Sequence, residues 1–209
     1  QMTFEQEYAL FQDESFQGSA RTQVTSFSRL AWLILQETGG ATRQFISSVG
    51  IQMMLRKIIE EKEGDWNVFQ KAVEKQGFLN QLEKMITEFK RYEITPETLL
   101  AQKYQINQYA HKEPGERALV DKLDDLYYIY EKLGHALANK YIDSEDQLSL
   151  LAEKITEAKS LEGAEIYFDG FHRFTPKELV VVETLLKKCE RITVTLTVDD
   201  QDNPNLSDM

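Results

Sequence analysis

Cysteine is nearly absent: a single residue, Cys189, stands in 209. A lone thiol can neither close an internal disulfide nor hold a zinc by itself, which excludes a disulfide-built scaffold and favours a reducing cytoplasmic compartment. Proline is scarce at four, and ten glycines are too few for a collagen-like or linker-like chain. No charge-free apolar run approaches the ~20 residues that a membrane helix needs. No basic head followed by an apolar middle is visible at the start, so neither secretion nor a membrane partner is expected. Basic charge is in deficit, with 24 Lys and Arg against 35 Asp and Glu and a net charge of -11. That balance excludes a protein that coats nucleic acid with its whole surface, and it leaves a local site open. What is present suits one domain, or one domain with a large insertion: 42% of residues are hydrophobic and 28% charged, enough for a packed core.

The charge is unevenly placed. Residues 1–20 carry -4, residues 21–57 carry +4 through Arg21, Arg29, Arg43, Arg56 and Lys57 against Glu37, and residues 58–209 carry -11. The basic segment is either a local fluctuation on a solvated face or an anion-facing surface in an otherwise acidic molecule.

Three textures follow one another. In residues 1–40, Phe4, Tyr8 and Phe11 read as one face of a helix over 3–14, broken at Gly18. Thr22 to Phe27 reads as a strand, Ser28 as the cap of the next helix, and Gly39-Gly40 as its stop. From 41 to 162 the pattern is helical without an intervening strand. Ile51, Met54, Leu55, Ile58 and Ile59 form one face, and Phe78, Leu82, Met85, Ile86 and Phe89 another. Thr95-Pro96 is a helix start, and after Pro114-Gly115 the stripe Leu119, Leu123, Leu126, Tyr130, Leu133, Leu137 has coiled-coil-like spacing. Ser144 with Gln147 reads as a capping box. From 163 to 209 the α/β texture returns: a strand at Glu165–Asp169, a strong helix start at Thr175-Pro176-Lys177-Glu178, and an alternating strand from Ile192 to Val198.

Independent catalysis has no visible basis. No G-x-x-x-x-G-K-[ST] loop is present to cradle a triphosphate. His111, His135 and His172 are scattered without metal-ligand spacing, and the acid pairs Asp124-Asp125 and Glu60-Glu61 read as solvated helix surface. The specific segment is Glu165-Ile-Tyr-Phe-Asp169-Gly170-Phe171-His172-Arg173-Phe174, a hydrophobic strand ending in Asp where P-loop motors place a magnesium-binding acid. Phe171 and Phe174, expected to be exposed beside His172 and Arg173, suit stacking on bases. The alternative is a strand that ends in a plain polar turn. In Val24-Thr-Ser-Phe27-Ser-Arg29-Leu-Ala-Trp32, a helix N-terminus and Arg29 suit phosphate, and Phe27 and Trp32 are stacking surfaces or core residues. Gln1-Met2-Thr3-Phe4 is a third turn of this kind.

Taken in order, Gln1-Met-Thr-Phe-Glu-Gln-Glu-Tyr-Ala-Leu, Val24-Thr-Ser-Phe-Ser-Arg-Leu-Ala-Trp and Ile166-Tyr-Phe-Asp-Gly-Phe-His-Arg-Phe-Thr-Pro resemble successive motifs of superfamily 1 DNA helicases. Nearly the whole chain resembles the N-terminal, helicase-like part of the B subunit of bacterial ATP-dependent helicase–nucleases, the AddAB/RexAB family. The resemblance implies a fragment of a P-loop helicase-like, parallel-sheet α/β domain, with core at 1–40 and 163–209 and an all-α insertion at 41–162. It implies double-strand-break repair with an A subunit as heterodimer partner, and an inactivated motor fold that recognises single-stranded DNA of Chi type. The family's phosphate loop is expected before Gln1, and its nuclease domain with an iron–sulfur cluster after Met209. ATP, magnesium and that cluster are thus implied for the parent, and no cofactor is expected in this piece. Where an active helicase has Asp-Glu, this chain has Asp169-Gly170, a degenerate nucleotide motif without the water-polarising acid. The DNA-contacting residues carried over are Gln1, Thr3, Phe27, Arg29, Trp32 and Phe171. A rival from another class is a helical scaffold that docks the motor subunit through the 119–137 stripe; another is a truncated ATPase domain.

Overall fold

Among the described residues, seven helices and four short strands follow from local signals along the chain. The computed structural model describes Tyr8 and residues 22–40, 42–62, 66–69, 72, 75, 77–109, 114–138 and 140–195. Helix α1 (Phe27–Thr38) begins where the Ser26 hydroxyl accepts a hydrogen bond from the Arg29 amide, and it stops at Gly39, whose φ of 76° is open to glycine at little cost. Strand β1 (Gln44–Phe45) leads into α2 (Ser48–Glu61), capped by Ser47. Then come α3 (Phe78–Arg91), α4 (Pro96–Tyr109) and α5 (Pro114–Leu137). Strand β2 (Tyr141–Ile142) precedes α6 (Ser144–Lys154), which a 3-10 turn over Ile155–Glu157 extends. Strand β3 (Glu165–Phe168), α7 (Pro176–Lys188) and β4 (Arg191–Val194) complete the order. The Thr175–Glu178 capping box read from the sequence is formed, with both reciprocal bonds present.

Both ladders are parallel. Gln44 and Phe45 pair with Tyr141 and Ile142, and Glu165 to Phe168 pair in register with Arg191 to Val194. The molecule is therefore mixed, mostly helical with small parallel sheets.

Several local expectations are corrected. Thr22–Ser26 is not a strand, because no second strand runs beside it among the described residues and Ser26 is taken as a helix cap. Ser28 lies inside α1 rather than capping it. The cap of α6 is Asp143, whose carboxylate accepts from the Glu145 and Asp146 amides, so Ser144 is already helical. The helical stretch is interrupted after all by β1 and β2, which are too short to show periodicity. The expected helix at 3–14 lies outside the described residues except for exposed Tyr8, as does 196–198 of the last expected strand.

Two apolar clusters organise the packing. The first gathers Ile51, Leu55 and Ile59 of α2, Leu82 and Ile86 of α3, and Leu126, Ile129, Tyr130, Leu133 and Leu137 of α5. The 119–137 stripe therefore turns inward onto its own bundle, with only its first member, Leu119, well exposed. Asp125 on this helix corrects the surface reading most sharply. It is fully buried, and its carboxylate accepts from the backbone amides of Asn67, Val68 and Phe69, with Lys62 at 3.6 Å. Its neighbour Asp124 pairs with Lys103, while Glu60 and Glu61 are exposed as expected.

The second cluster contains Ala31 and Ile34 of α1, Leu151 of α6, Ile155, Ala158, Leu161, Phe168 of β3, and Val181, Val182 and Leu185 of α7. Charge ties the two clusters together. Lys90 at the end of α3 donates to Asp143 (2.6 Å) and Asp146 (2.7 Å), and Arg91 to Glu145 (3.1 Å). Burial alone would depress the Lys90 ammonium, but the two aspartates outweigh it and raise its pKa. Burial raises Glu145, against the opposing pull of Arg91.

Candidate nucleic-acid interface

The carboxyl end of β3 is where two of the sequence-derived site residues, Phe27 and Phe171, meet. Phe168, the last residue of the strand, is buried, and around it lie Phe27, Phe171 and Phe174. Phe27 stacks on Phe168 at 5.8 Å between ring centroids and meets Phe171 edge-on at 5.7 Å. Phe171 and Phe174 stack at 5.0 Å with 21° between their planes. Such pairs add about 0.5–1.5 kcal/mol each beyond area burial. Phe27 and Phe171 are thus brought together, as half-buried members of a four-ring cluster; Phe174, expected to be exposed, is half-buried too. His172 and Arg173 remain exposed beside them.

Arg29 and Trp32 stand apart from that cluster in character. Both lie in the first turns of α1 and face outward, Trp32 with 56% of its surface exposed. The five-residue span from Phe27 to Trp32 is only ~7.5 Å along the helix axis. The inward face of α1 buries Ala31, Ile34 and Leu35, so the outward side chains are displayed from a fixed helix. Its far end is fastened by Glu37, whose carboxylate accepts from the Lys159 and Ser160 amides and from the Ser160 hydroxyl. The Ser160 hydroxyl, then the two backbone amides, hold the Glu37 pKa below its ordinary 4.5. Gln1 and Thr3 lie outside the described residues.

Asp169 and Gly170 follow Phe168. Asp169 is exposed, and its Oδ1 accepts a short hydrogen bond from the Thr195 hydroxyl. Gly170 has φ of 75°, a left-handed conformation that costs a side-chain-bearing residue roughly 1–2 kcal/mol. A glutamate there would meet backbone strain. Among the described residues no group of three Asp, Glu, His or Cys side chains converges, and Asp169 accepts from Thr195. Nor can a single cysteine ligate an iron–sulfur cluster, which takes several thiolates.

The basic segment is less concentrated than its sum suggests. Arg56 and Lys57 face Glu60 and Glu61 one helical turn away, at 3.9 and 3.6 Å. Arg43 lines a groove of about 360 Å³ with Tyr141, Asp146, Ser149 and Glu153. Arg21 lies outside the described residues, which leaves Arg29 as the cation displayed on α1. Sequence reasoning missed Phe168 as the central ring, Thr195 as the partner of Asp169, and Glu37 as the fastening of α1. Only Phe168 carried a signal, as an aromatic at a strand end.

No helix among the described residues is long and apolar enough to cross a membrane. Comparison with known proteins gives a match to the family described as ADDB, N-terminal, over residues 1–209. The chain is 60% identical over 200 residues to the B subunit of the ATP-dependent helicase/deoxyribonuclease of Oceanobacillus iheyensis, covering 96% of this chain and 17% of that protein. The proteins of the same name from Geobacillus kaustophilus and Bacillus mycoides are 50% identical over 199 residues and 46% over 201, covering 95% and 96% of this chain and 17% of each relative.

Proposed function

This chain belongs to the ADDB N-terminal family, and from that premise we propose that it is a single-stranded DNA recognition unit within the B subunit of a double-strand-break repair helicase–nuclease. The chain spans 17% of the length of these relatives. In this reading residues 1–40 and 163–209 are the remnant of a P-loop helicase-like sheet domain. Residues 41–162 form an inserted helical subdomain whose last helix, α6, packs back onto that core.

The observation that carries the proposal is the exposure of Arg29 and Trp32 on the first turns of α1, the helix whose Phe27 joins a Phe27–Phe168–Phe171–Phe174 cluster at the carboxyl end of a parallel strand. In open α/β sheets, ligands gather at that edge. Trp32 offers an open ring for a base, and Arg29 a planar donor fork for a phosphate or a guanine edge. The half-buried rings hold the platform in shape and present their edges. Gln1 and Thr3 would add hydrogen bonds to base edges or phosphate, as the resemblance assigns them. DNA of Chi type is the sequence-specific ligand this reading predicts, with the A subunit driving the strand past the site.

The Asp169-Gly170 pair supports a motor fold that does not drive translocation, since Gly170 has no carboxylate to polarise water. Steady ATP turnover that Asp169→Ala abolishes, in a complex whose A-subunit motor is inactive, would contradict this. The DNA reading is tested in the full complex carrying Arg29→Ala or Trp32→Ala. Sequence-dependent pausing should be lost while unwinding continues; normal pausing by both variants would refute the assignment.

A second reading, docking of the partner subunit, loses the support of the inward-facing 119–137 stripe. It gains a different one: Phe45, Val49 and Met53, spaced by four, are 56%, 65% and 69% exposed along β1 and α2. The two roles are compatible. Met53→Glu should weaken subunit association if this ridge is used, and leave it intact if it is not.

A further inference from the structure

We propose that Asp169 is a positioning residue that, through Thr195, fixes the loop carrying Phe171, and that it does so without a metal. The inference rests on the DNA-recognition reading above and concerns how that surface is held.

Thr195 closes the end of β4 onto the end of β3 with three contacts. Its amide donates to the Phe168 carbonyl at 2.9 Å, its hydroxyl lies 3.3 Å from the same oxygen, and that hydroxyl also donates to Asp169 Oδ1. Asp169 is therefore pinned at the point where the chain leaves the sheet. Gly170 follows in its left-handed turn and reverses the path, and Phe171 then drops onto Phe174 and against Phe27. At the other end of the loop the Thr175 amide donates to Glu178 Oε2 at 2.8 Å, within the cap of α7. The six residues 169–174 thus run between two anchored points, one of them Asp169. Loss of either anchor releases the loop while the sheet and α7 stay in place.

This assignment departs from the resemblance, in which the equivalent acid serves a metal. A metal-binding carboxylate acts through its charge, whereas an acceptor for Thr195 acts through an oxygen lone pair that an amide also supplies. Asparagine therefore separates the two roles. Alanine removes both.

The test uses the full-length two-subunit complex with a fluorescent single-stranded oligonucleotide that contains its pause-inducing sequence, and a scrambled oligonucleotide of equal composition. Binding is measured in EDTA without nucleotide. Asp169→Ala and Thr195→Val should each bind the pause sequence about tenfold more weakly, the size of one lost stacking contact, and the scrambled strand unchanged. Asp169→Asn should stay within about twofold of the parent. If Asp169→Ala fails to fold, Thr195→Val, which keeps the side-chain volume, decides the question. Parent-like binding by Thr195→Val, or a loss by Asp169→Asn as large as that by Asp169→Ala, overturns the proposal. Phe171→Ala and Trp32→Ala keep the two levels distinct. If they lose affinity while Thr195→Val does not, only the positioning role fails. If they too bind like the parent, the recognition reading itself fails.

Discussion

In the helical cluster α5 turns its long apolar stripe inward, so that Leu126, Ile129, Leu133 and Leu137 are all buried. Even an acid, Asp125, is drawn in to satisfy three backbone amides. In the α/β unit, by contrast, α1 buries Ala31, Ile34 and Leu35 and leaves Arg29 and Trp32 outside. The tryptophan is displayed on a rigid helix where burial would have stabilised more. The contrast is sharpest in the two tryptophans: Trp66 is packed into the helical cluster, whereas Trp32 is left outside the core of the α/β unit. An exposed Trp one helical turn from an exposed Arg is the pair that the proposed DNA contact uses.

That contrast can be broken by substitution. The largest effect is expected from Asp125→Ala, which leaves the amides of Val68 and Phe69 and the ammonium of Lys62 without their acceptor. A loss of about 3–5 kcal/mol, read as lost amide-exchange protection over 66–69 and α5 in the full-length protein, is the expected result. Leu133→Ala should cost about 2–5 kcal/mol in the same measurement, through a cavity between α5 and α2. Neither should alter the preference for one DNA sequence over another in any protein that remains folded.

Phe27→Ala sharpens the comparison because Phe27 belongs to both worlds. Half-buried in the ring cluster, it should cost roughly 1–3 kcal/mol of local stability and weaken single-strand binding as well. Trp32→Ala should change stability by less than about 0.5 kcal/mol, as befits an exposed side chain, while removing ~1–3 kcal/mol of single-strand affinity. A large stability loss at Trp32 would move it into the core and out of the site.

The smallest effect concerns pH. The Ser160 hydroxyl and the amides of Ser160 and Lys159 hold Glu37 below its ordinary pKa of 4.5. Because the folded value is depressed, the stabilisation from this contact is present above pH 4.5 and fades as pH falls through the lower, folded value. Comparison of unfolding above and below pH 4.5 should show a steeper acid loss for the parent than for Glu37→Gln. Equal slopes would mean that Glu37 fastens nothing.

The helices were largely legible in the sequence, because their apolar spacing and caps are local. The faces of α2, α3 and α5 and the Thr175–Glu178 box all appear where the residues put them. Contacts between distant residues left no such mark. Nothing around Asp125 distinguishes a solvated acid from one that holds a loop some 56–58 positions away. Two-residue strands such as Gln44–Phe45 have no period to read, and residues 22–27 read as a strand because β-propensity does not reveal whether a pairing strand exists. At the candidate site, residue types pointed to Phe27, Arg29, Trp32 and Phe171. Which of them are exposed and which are half-buried in the ring cluster emerged only from their packing.

The most direct measurement is photo-crosslinking of the full-length complex to single-stranded DNA carrying a halogenated pyrimidine within its pause sequence, followed by peptide mapping of this protein. Crosslinks are predicted at Trp32 and Phe171, absent from α3 and α5 and reduced with a scrambled strand. Crosslinks confined to the helical cluster, with none in 27–32 or 168–174, would contradict the account.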